Sequence, residues 1–233
     1  MSLPTHTDKA FERDLLDLRD KLLSMGAKVE AQISDSVRSL TDRDTALAEQ
    51  VVATDIDVNR HELEIDELCR KILALRQPAA SDLRLITTAL KIVTDLERIG
   101  DLAVNIAERA MDLNQVPALN TYVDLPRLAQ IAESQVKEAL NAFVSADPLL
   151  AEVVLKGDEH LDDLFVKIFN ELLTFMMEDS RNIRRATSLL SIAKYLERIG
   201  DHAMNLAEMV IYMVRGTDIR HPRSREVPLL KGA

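Results

Sequence analysis

Four pairs of acidic residues, each with a spacing of four, are the part of this sequence best suited to chemistry. A spacing of four on an α-helix puts two carboxylates on the same face, one turn apart. Carboxylate oxygens are hard ligands that suit Mg²⁺, Ca²⁺, Mn²⁺ or iron, and bridging carboxylates can hold more than one ion. The pattern therefore predicts sites for divalent metal or iron, with room for a multinuclear cluster. The pairs are Glu62/Asp66, Glu97/Asp101, Asp158/Asp162 and Glu197/Asp201.

Two of these pairs belong to longer polar stripes. Positions i, i+4, i+8 and i+11 of a helix fall within a stripe about 80° wide. Neighbouring like charges repel each other by roughly a few tenths of a kcal/mol, so a face that only contacts solvent would more comfortably alternate its charges. A simple solvent-exposed acidic face stays open as an interpretation, because Arg98 and Arg198 flank the stripes. The stripes are Glu97, Asp101, Asn105 and Glu108, and Glu197, Asp201, Asn205 and Glu208.

Motifs of the common enzyme classes are missing from the sequence. None of His61, His160 and His202 follows an Asp or Glu by three positions, which argues against a ferritin-like di-iron site. There is no P-loop, glycine-rich dinucleotide motif, Gly-x-Ser-x-Gly or His-Glu-x-x-His. A non-catalytic protein is therefore predicted. Two alternatives stay open, a carboxylate-bridged metal pair that hydrolyses phosphate esters and a protein that buffers metal.

Six helices must position these residues. Apolar side chains recur in steps of three and four through most of the chain, as at Leu15, Leu18 and Leu22, which is the spacing of one helix face. In the second helix this spacing predicts that Leu68, Ile72 and Leu75 face inward. Prolines interrupt this pattern at Gln77-Pro78 and Asp147-Pro148, because proline cannot continue a preceding helix. The helices are predicted at about 8–40, 43–75, 81–114, 125–145, 148–177 and 180–215.

An internal repeat relates the two halves of the chain. Residues 96–108 read LERIGDLAVNIAE and residues 196–208 read LERIGDHAMNLAE, identical at ten of 13 positions. Such similarity at a spacing of 100 residues indicates duplication of a three-helix unit. The predicted fold is all-α, with tandem three-helix bundles at 8–114 and 121–216 and a flexible tail at 217–233. In an antiparallel hairpin, the acidic pairs of neighbouring helices would face each other and gather four carboxylates per bundle.

Small residues in the helices have packing interpretations. Gly100 and Gly200 occupy the same position of the repeat, which predicts a close approach of another helix there, because glycine otherwise weakens a helix. Cys69 lies in an apolar register and is predicted to be a small core residue. His61 and His160 lie near acidic pairs, but helix packing is the favoured interpretation for both.

Composition and charge exclude several classes of protein. Only 3% of the residues are aromatic, and there are 6 Gly and 7 Pro, which argues against an all-β fold. The net charge of −10 disfavours binding to nucleic acid or to an anionic membrane surface. A single cysteine cannot form an intrachain disulfide, and no secretory signal or membrane span is recognised. A cytoplasmic protein is expected.

The repeated motif and its surroundings resemble the PhoU family. The resemblance rests on the two LERIGD segments, on Arg76-Gln-Pro-Ala-Ala-Ser-Asp-Leu-Arg84 before the first, and on Phe175-Met-Met-Glu-Asp-Ser-Arg181 before the second. It extends from about residue 8 to about residue 216. It implies an all-helical, usually dimeric protein of the bacterial cytoplasm, made of two three-helix bundles.

The same resemblance implies a function. Members of the family are negative regulators of the phosphate-starvation response and of phosphate uptake. They are thought to be adaptors between the ATPase subunit of the phosphate ABC transporter and a sensor histidine kinase, and they reach the membrane only through these partners. Some members bind multinuclear metal through Glu/Asp-x-x-x-Asp motifs, which correspond here to the four acidic pairs. The second bundle has Asp158 where the first has Glu62, and Glu159/Asp163 is an alternative pair in that helix.

Overall fold

The computed structural model describes residues 9–119 and 124–219. Within these ranges the chain forms six α-helices and one 3₁₀ turn, without a strand, so the predicted all-α class is confirmed. The predicted start of the second bundle at 121 and most of the predicted tail at 217–233 lie outside the described residues, and these boundaries stay predictions. The helices are α1 (Lys9–Thr41), α2 (Thr45–Arg76), α3 (Ala80–Asn114), α4 (Leu125–Ser145), α5 (Pro148–Glu178) and α6 (Ile183–Arg215), and the 3₁₀ turn is Ser180–Asn182.

Local signals set the helix ends. The carboxylate of Asp44 accepts a hydrogen bond from the Leu47 amide at 3.0 Å and caps α2, and Asp147 caps α5 in the same way, since such side chains satisfy amides left free at a helix start. Gly216 ends α6 with a φ of 70°, a left-handed conformation that glycine adopts without strain. The sequence places the last helix from 180, but the 3₁₀ turn comes first, because the Asp179 carboxylate accepts the Arg181 amide at 2.9 Å.

Apolar periodicity predicts the buried faces of the helices with one clear error. The α1 positions Leu18, Leu22 and Ile33 are fully buried, as their spacing predicts. Leu75 near the end of α2 was expected to face inward but is 65% exposed. The inward register passes from Ile72 to Arg76 instead, where the guanidinium contacts the Asp14 carboxylate at 3.1 Å.

The two three-helix units pack side by side around one continuous core. Helices α1 and α3 of the first unit contact α4 and α6 of the second, and buried side chains from all six helices form one cluster. Gly26 of α1 lies directly against Leu140 of α4. His202 of α6 reaches Asp95 of α3 at 2.7 Å between Nδ1 and Oδ1. The tandem bundles are therefore joined into one body by packing and by a polar contact.

Candidate functional site

The first acidic face is formed by Glu62 and Asp66 of α2 with Glu97 and Asp101 of α3. Burial raises the pKa of Glu62, and the negative charges of Asp66 and Asp101 raise it further. Burial likewise raises the pKa of Glu97, with added contributions from Asp101 and Glu62. Carboxylates affect one another in this way only over short distances. The two predicted pairs of the first bundle therefore face each other across neighbouring helices.

The second acidic face repeats this arrangement with Asp158 and Asp162 of α5 and Glu197 and Asp201 of α6. Burial raises the pKa of Asp158, and all three other carboxylates of the face raise it further. Burial also raises the pKa of Asp201, followed by the charge of Glu197. All eight predicted site residues are thus gathered into two repeat-related faces.

The structure also distinguishes the two possible pairs on α5. Glu159, Asp162 and Asp163 are all exposed on the helix, but of these three only Asp162 contributes to the raised pKa of Asp158. The rotation of α5 against α6 turns Asp158 toward the Glu197/Asp201 pair instead. Asp158/Asp162 is therefore the pair that completes the second acidic face.

Asp55 is an additional member of the first acidic face that sequence reasoning missed. It contributes to the raised pKa of Glu97, and burial raises its own pKa. Asn59 donates a hydrogen bond to its Oδ2 at 2.9 Å. Asp55 precedes Glu62 by seven residues, which is two helical turns and the same face. A search at i+7 as well as i+4 would have found it.

Basic side chains neutralise part of both faces. Arg98 contacts Glu97 at 3.4 Å and Asp101 at 3.1 Å, as the solvent-face interpretation allows. In the second face Lys194 holds Glu197 at 2.7 Å, and no ion pair to Arg198 is found among the described residues. These cations are about half exposed, so each pair contributes little stability.

A buried glutamine lies beside each face at the point where three helices meet. A Cβ placed on Gly100 would come within 3.3 Å of Gln32 Oε1 and Val58 Cγ1, and one on Gly200 within 3.0 Å of Gln135 Oε1. The predicted close helix approach at both glycines is confirmed. The two glutamines are 4% and 5% exposed. Gln32 interacts with the Asp55 carboxylate through a side-chain hydrogen bond that lowers the pKa of Asp55. Within the described residues, no hydrogen-bond partner reaches the amide atoms of Gln135, although buried polar groups are normally paired.

These residues have the donor atoms of a metal site, but their side chains are not spaced as metal ligands. Carboxylate and amide oxygens are the donors that hard cations prefer. Across residues 9–119 and 124–219, however, no three His, Cys, Asp or Glu side chains lie close enough together to hold one metal ion. The faces are therefore open acidic surfaces, and a cation there would draw the side chains closer.

Other reactive side chains have structural surroundings. Cys69 is fully buried, and burial raises the pKa of its thiol to about 12, so the predicted core role is confirmed and the thiol stays protonated at neutral pH. His61 contacts the backbone oxygen of Asp57 in its own helix at 2.7 Å and the Ser24 hydroxyl of α1 at 3.4 Å, as the packing interpretation predicts. His160 is exposed on α5.

Within the described ranges, no helix combines the length and the apolar composition needed to span a bilayer.

The fold and the faces define a class of protein: a duplicated three-helix unit in which each copy carries one acidic face beside a buried glutamine. The model of the PhoU domain matches residues 22–110 and again residues 125–210, once in each unit. The chain therefore belongs to the PhoU domain family, and its predicted resemblance is confirmed.

Individual relatives cover almost the whole chain. It is 47% identical over 221 residues to the phosphate-specific transport system accessory protein PhoU homolog of Pseudomonas aeruginosa, covering 94% of this chain and 91% of that protein. It is 36% identical over 230 residues to the phosphate-specific transport system accessory protein PhoU of Escherichia coli, covering 99% and 95%.

Solved structures show the same architecture. The crystal structure of PhoU from Pseudomonas aeruginosa covers 89% of this chain and 100% of that chain, with a TM-score of 0.85 and 47% identity. The phosphate transport system regulatory protein PhoU from Streptococcus pneumoniae covers 90% and 99%, with a TM-score of 0.83 at 27% identity. The tandem-repeat fold is therefore shared with a relative at 47% identity and with one at 27% identity.

Proposed function

We propose that this protein is an accessory protein of a phosphate-specific transport system and represses phosphate uptake and the phosphate-starvation response. The observation that carries the proposal is the match of both repeats to the PhoU domain, together with relatives that bear the name of such an accessory protein. The protein acts without catalysis, as a cytoplasmic adaptor between the ATPase subunit of the phosphate ABC transporter and a sensor histidine kinase.

The acidic faces support an adaptor of this kind. They provide two repeat-related negative surfaces on one rigid body, and a basic surface on a partner would be steered toward each of them. One face for each partner would let a single molecule contact the transporter and the kinase together. Any contact with the membrane then comes through these partners.

Binding measurements with the purified partners test the adaptor role. The full chain is titrated with the ATPase subunit and with the cytoplasmic portion of the kinase, at low and at physiological salt. Neutralising one acidic face should slow association with one partner and flatten its salt dependence, because steering depends on charge. Unchanged binding of both partners would remove the faces from the proposal. The test variant is Glu62→Gln/Asp66→Asn/Glu97→Gln/Asp101→Asn, and the matched control is Glu12→Gln/Glu49→Gln/Asp163→Asn/Glu178→Gln, four exposed acids away from this face.

A homodimer is part of the same proposal. An apolar stripe on α5 remains exposed in the single chain, with Val166 at 54%, Phe169 at 40%, Leu173 at 44% and Met177 at 80%. These positions follow steps of three and four, so they lie on one face of the helix. A face of this kind is typical of a surface that another protein covers. We assign it to a second copy of the chain.

Metal binding by the acidic faces is a second, separate proposal. The raised pKa values of Glu62, Glu97 and Asp158 mean that ionisation is disfavoured where these carboxylates meet, and the amide oxygen of Gln135, which has no hydrogen-bond partner among the described residues, adds a further donor. A divalent or iron cation would supply the positive charge that these groups lack. Carboxylates that share such a cation would link α2 to α3 in the first unit and α5 to α6 in the second.

A further inference from the structure

A basic cavity lies at the junction of the two repeats, between the end of α3 and the start of α6. Its volume is 510 Å³. Four arginines from three elements line it, and Asp112 is its acidic residue among the described lining residues, so the lining carries a net charge of +3. The whole chain carries −10, which makes this concentration of positive charge stand out. The arginines are Arg109 of α3, Arg181 of the 3₁₀ turn, and Arg184 and Arg185 of α6.

Two of these arginines have carboxylate partners and two do not. Arg181 contacts Asp179 at 2.8 Å, and Arg109 contacts Asp112 at 3.8 Å. Arg185 instead donates to neutral acceptors, the backbone oxygen of Pro117 at 2.9 Å and Asn182 Oδ1 at 2.8 Å. Its guanidinium is therefore fixed in place without a direct ion pair among the described residues, and Asp179 interacts with its charge only over a longer distance.

Arg184 lacks the helix-tying contact that its repeat-related residue makes. Its repeat-related position, 100 residues earlier, is Arg84. Arg84 is partly buried and donates from Nε to the backbone oxygen of Met213 at 3.1 Å, which ties the start of α3 to the end of α6. Arg184 is exposed and makes no corresponding bond within the described part of the chain. Its guanidinium is free to contact a ligand in the cavity.

The surroundings of the cavity cancel this charge only in part, because Asp179 pairs with Arg181. The first turn of α6 contains no acidic residue, and its N-cap Asn182 makes no capping hydrogen bond. The positive end of the helix dipole therefore adds to the arginines. Glu197 of the second acidic face is 13 residues further along α6, or about 20 Å, well beyond the screening length of about 8 Å at physiological salt.

We propose that this cavity binds an oligophosphate, either inorganic or as the phosphate chain of a nucleotide. The volume of 510 Å³ is in the range of about 300–1,000 Å³ that small-molecule sites occupy, and it exceeds the need of one orthophosphate. Guanidinium groups pair with phosphate oxygens through two parallel hydrogen bonds. Thr187, whose side chain carries a hydroxyl, also lines the cavity. The site is separate from both acidic faces and does not depend on the proposed adaptor function.

Calorimetric titration of the full chain with sodium tripolyphosphate and with ATP, both without magnesium, tests the proposal. We expect one binding site per chain, and Arg184→Ala should weaken binding by about tenfold, the effect of losing one charge-assisted contact. The matched control is Arg70→Ala, an arginine 61% exposed on α2, which should leave the affinity unchanged. Circular dichroism confirms that each variant is folded, and Arg184→Glu gives a stronger version of the same change.

Each outcome either identifies the type of ligand or overturns the proposal. Equal affinity for tripolyphosphate and ATP supports recognition of the phosphate chain alone, and tighter binding of ATP supports a nucleotide whose base and sugar also enter the cavity. Absence of binding for both compounds would overturn the proposal, as would equal affinity in the wild type and in Arg184→Ala. Equally strong binding of a polyglutamate peptide would also overturn it and assign the surface to an acidic protein partner.

Discussion

Asp158 shows most clearly how the carboxylates of the acidic faces repel one another. Burial and three other carboxylates raise its pKa, and no cation opposes them. A carboxylate with a raised pKa in the folded state binds protons there that the unfolded chain has already released. The folded protein is therefore penalised above the folded pKa, and the penalty disappears as the pH falls through that pKa toward the ordinary value of 3.8.

Asp158→Asn should consequently stabilise the metal-free protein. We expect the free energy of unfolding at pH 7 to rise by about 0.5 kcal/mol, the size of like-charge repulsion at a partly exposed site. The gain should shrink as the pH is lowered toward 4. Urea denaturation at several pH values measures it, with the exposed neighbour change Glu159→Gln as the control. A loss of stability at pH 7 would contradict the repulsive picture.

At the scale of helices, the repeated glycines keep three elements in contact beside each face. Gly200→Ala would place a methyl group 3.0 Å from both Gln135 Oε1 and Leu161 Cδ1. These side chains can shift only partly in a packed core, so we expect a loss of about 1 kcal/mol. Gly157→Ala is the control, because its new methyl group would meet only Gln135 Nε2 at 3.6 Å and should stabilise α5 slightly. Urea denaturation compares the two, and equal effects would contradict a close approach specific to Gly200.

Metal binding is a further prediction at the scale of helices, because each acidic face joins two neighbouring helices. Protein purified without chelator or His-tag should contain stoichiometric metal by elemental analysis. The variant Glu97→Ala/Asp101→Ala/Glu197→Ala/Asp201→Ala should contain none, while Glu12→Ala/Asp20→Ala/Glu49→Ala/Glu178→Ala, at four exposed acids away from both faces, should match the wild type. Circular dichroism verifies that both variants are folded. If metal is missing from the wild type as well, the acidic faces act as docking surfaces alone.

The sequence predicts elements far better than the contacts between them. Positions such as Leu18 and Ile33 follow from periodicity, because the solvent boundary of a helix depends mainly on its own apolar stripe. The inward prediction for Leu75 was wrong, because Arg76 and not Leu75 occupies the inward-facing position that follows Ile72 on α2. The choice between Asp158 and Glu159 depends on the rotation of α5 against α6, which no local pattern fixes. The basic cavity joins arginines more than 70 residues apart in the chain, so it too needed the tertiary structure.

At the scale of the whole molecule, the exposed stripe on α5 predicts a dimer. Phe169→Lys places a charge in the middle of this stripe, which is unfavourable in a desolvated interface. The variant should run as a monomer in light scattering coupled to size exclusion, while Glu171→Lys, two positions away on a different side of the helix, should stay dimeric. A monomeric wild type, or a dimer in both variants, would show that this stripe is not the interface.

Charge is also divided over the whole body. The two acidic faces lie along the middle of the helix pairs, whereas the basic cavity lies at one end of α6. This separation allows cationic partners and an anionic ligand to be bound at the same time. The proposed adaptor role depends on the acidic faces, and an experiment in living cells tests this role most directly.

That test is a phosphate-starvation promoter reporter in phosphate-rich medium. A strain that lacks this protein should express the reporter constitutively, and the wild-type gene should switch it off again. Variants neutralised at the acidic faces should restore repression poorly, and the four-acid control away from the faces should restore it fully. Normal repression in the deletion strain would contradict the proposed function outright.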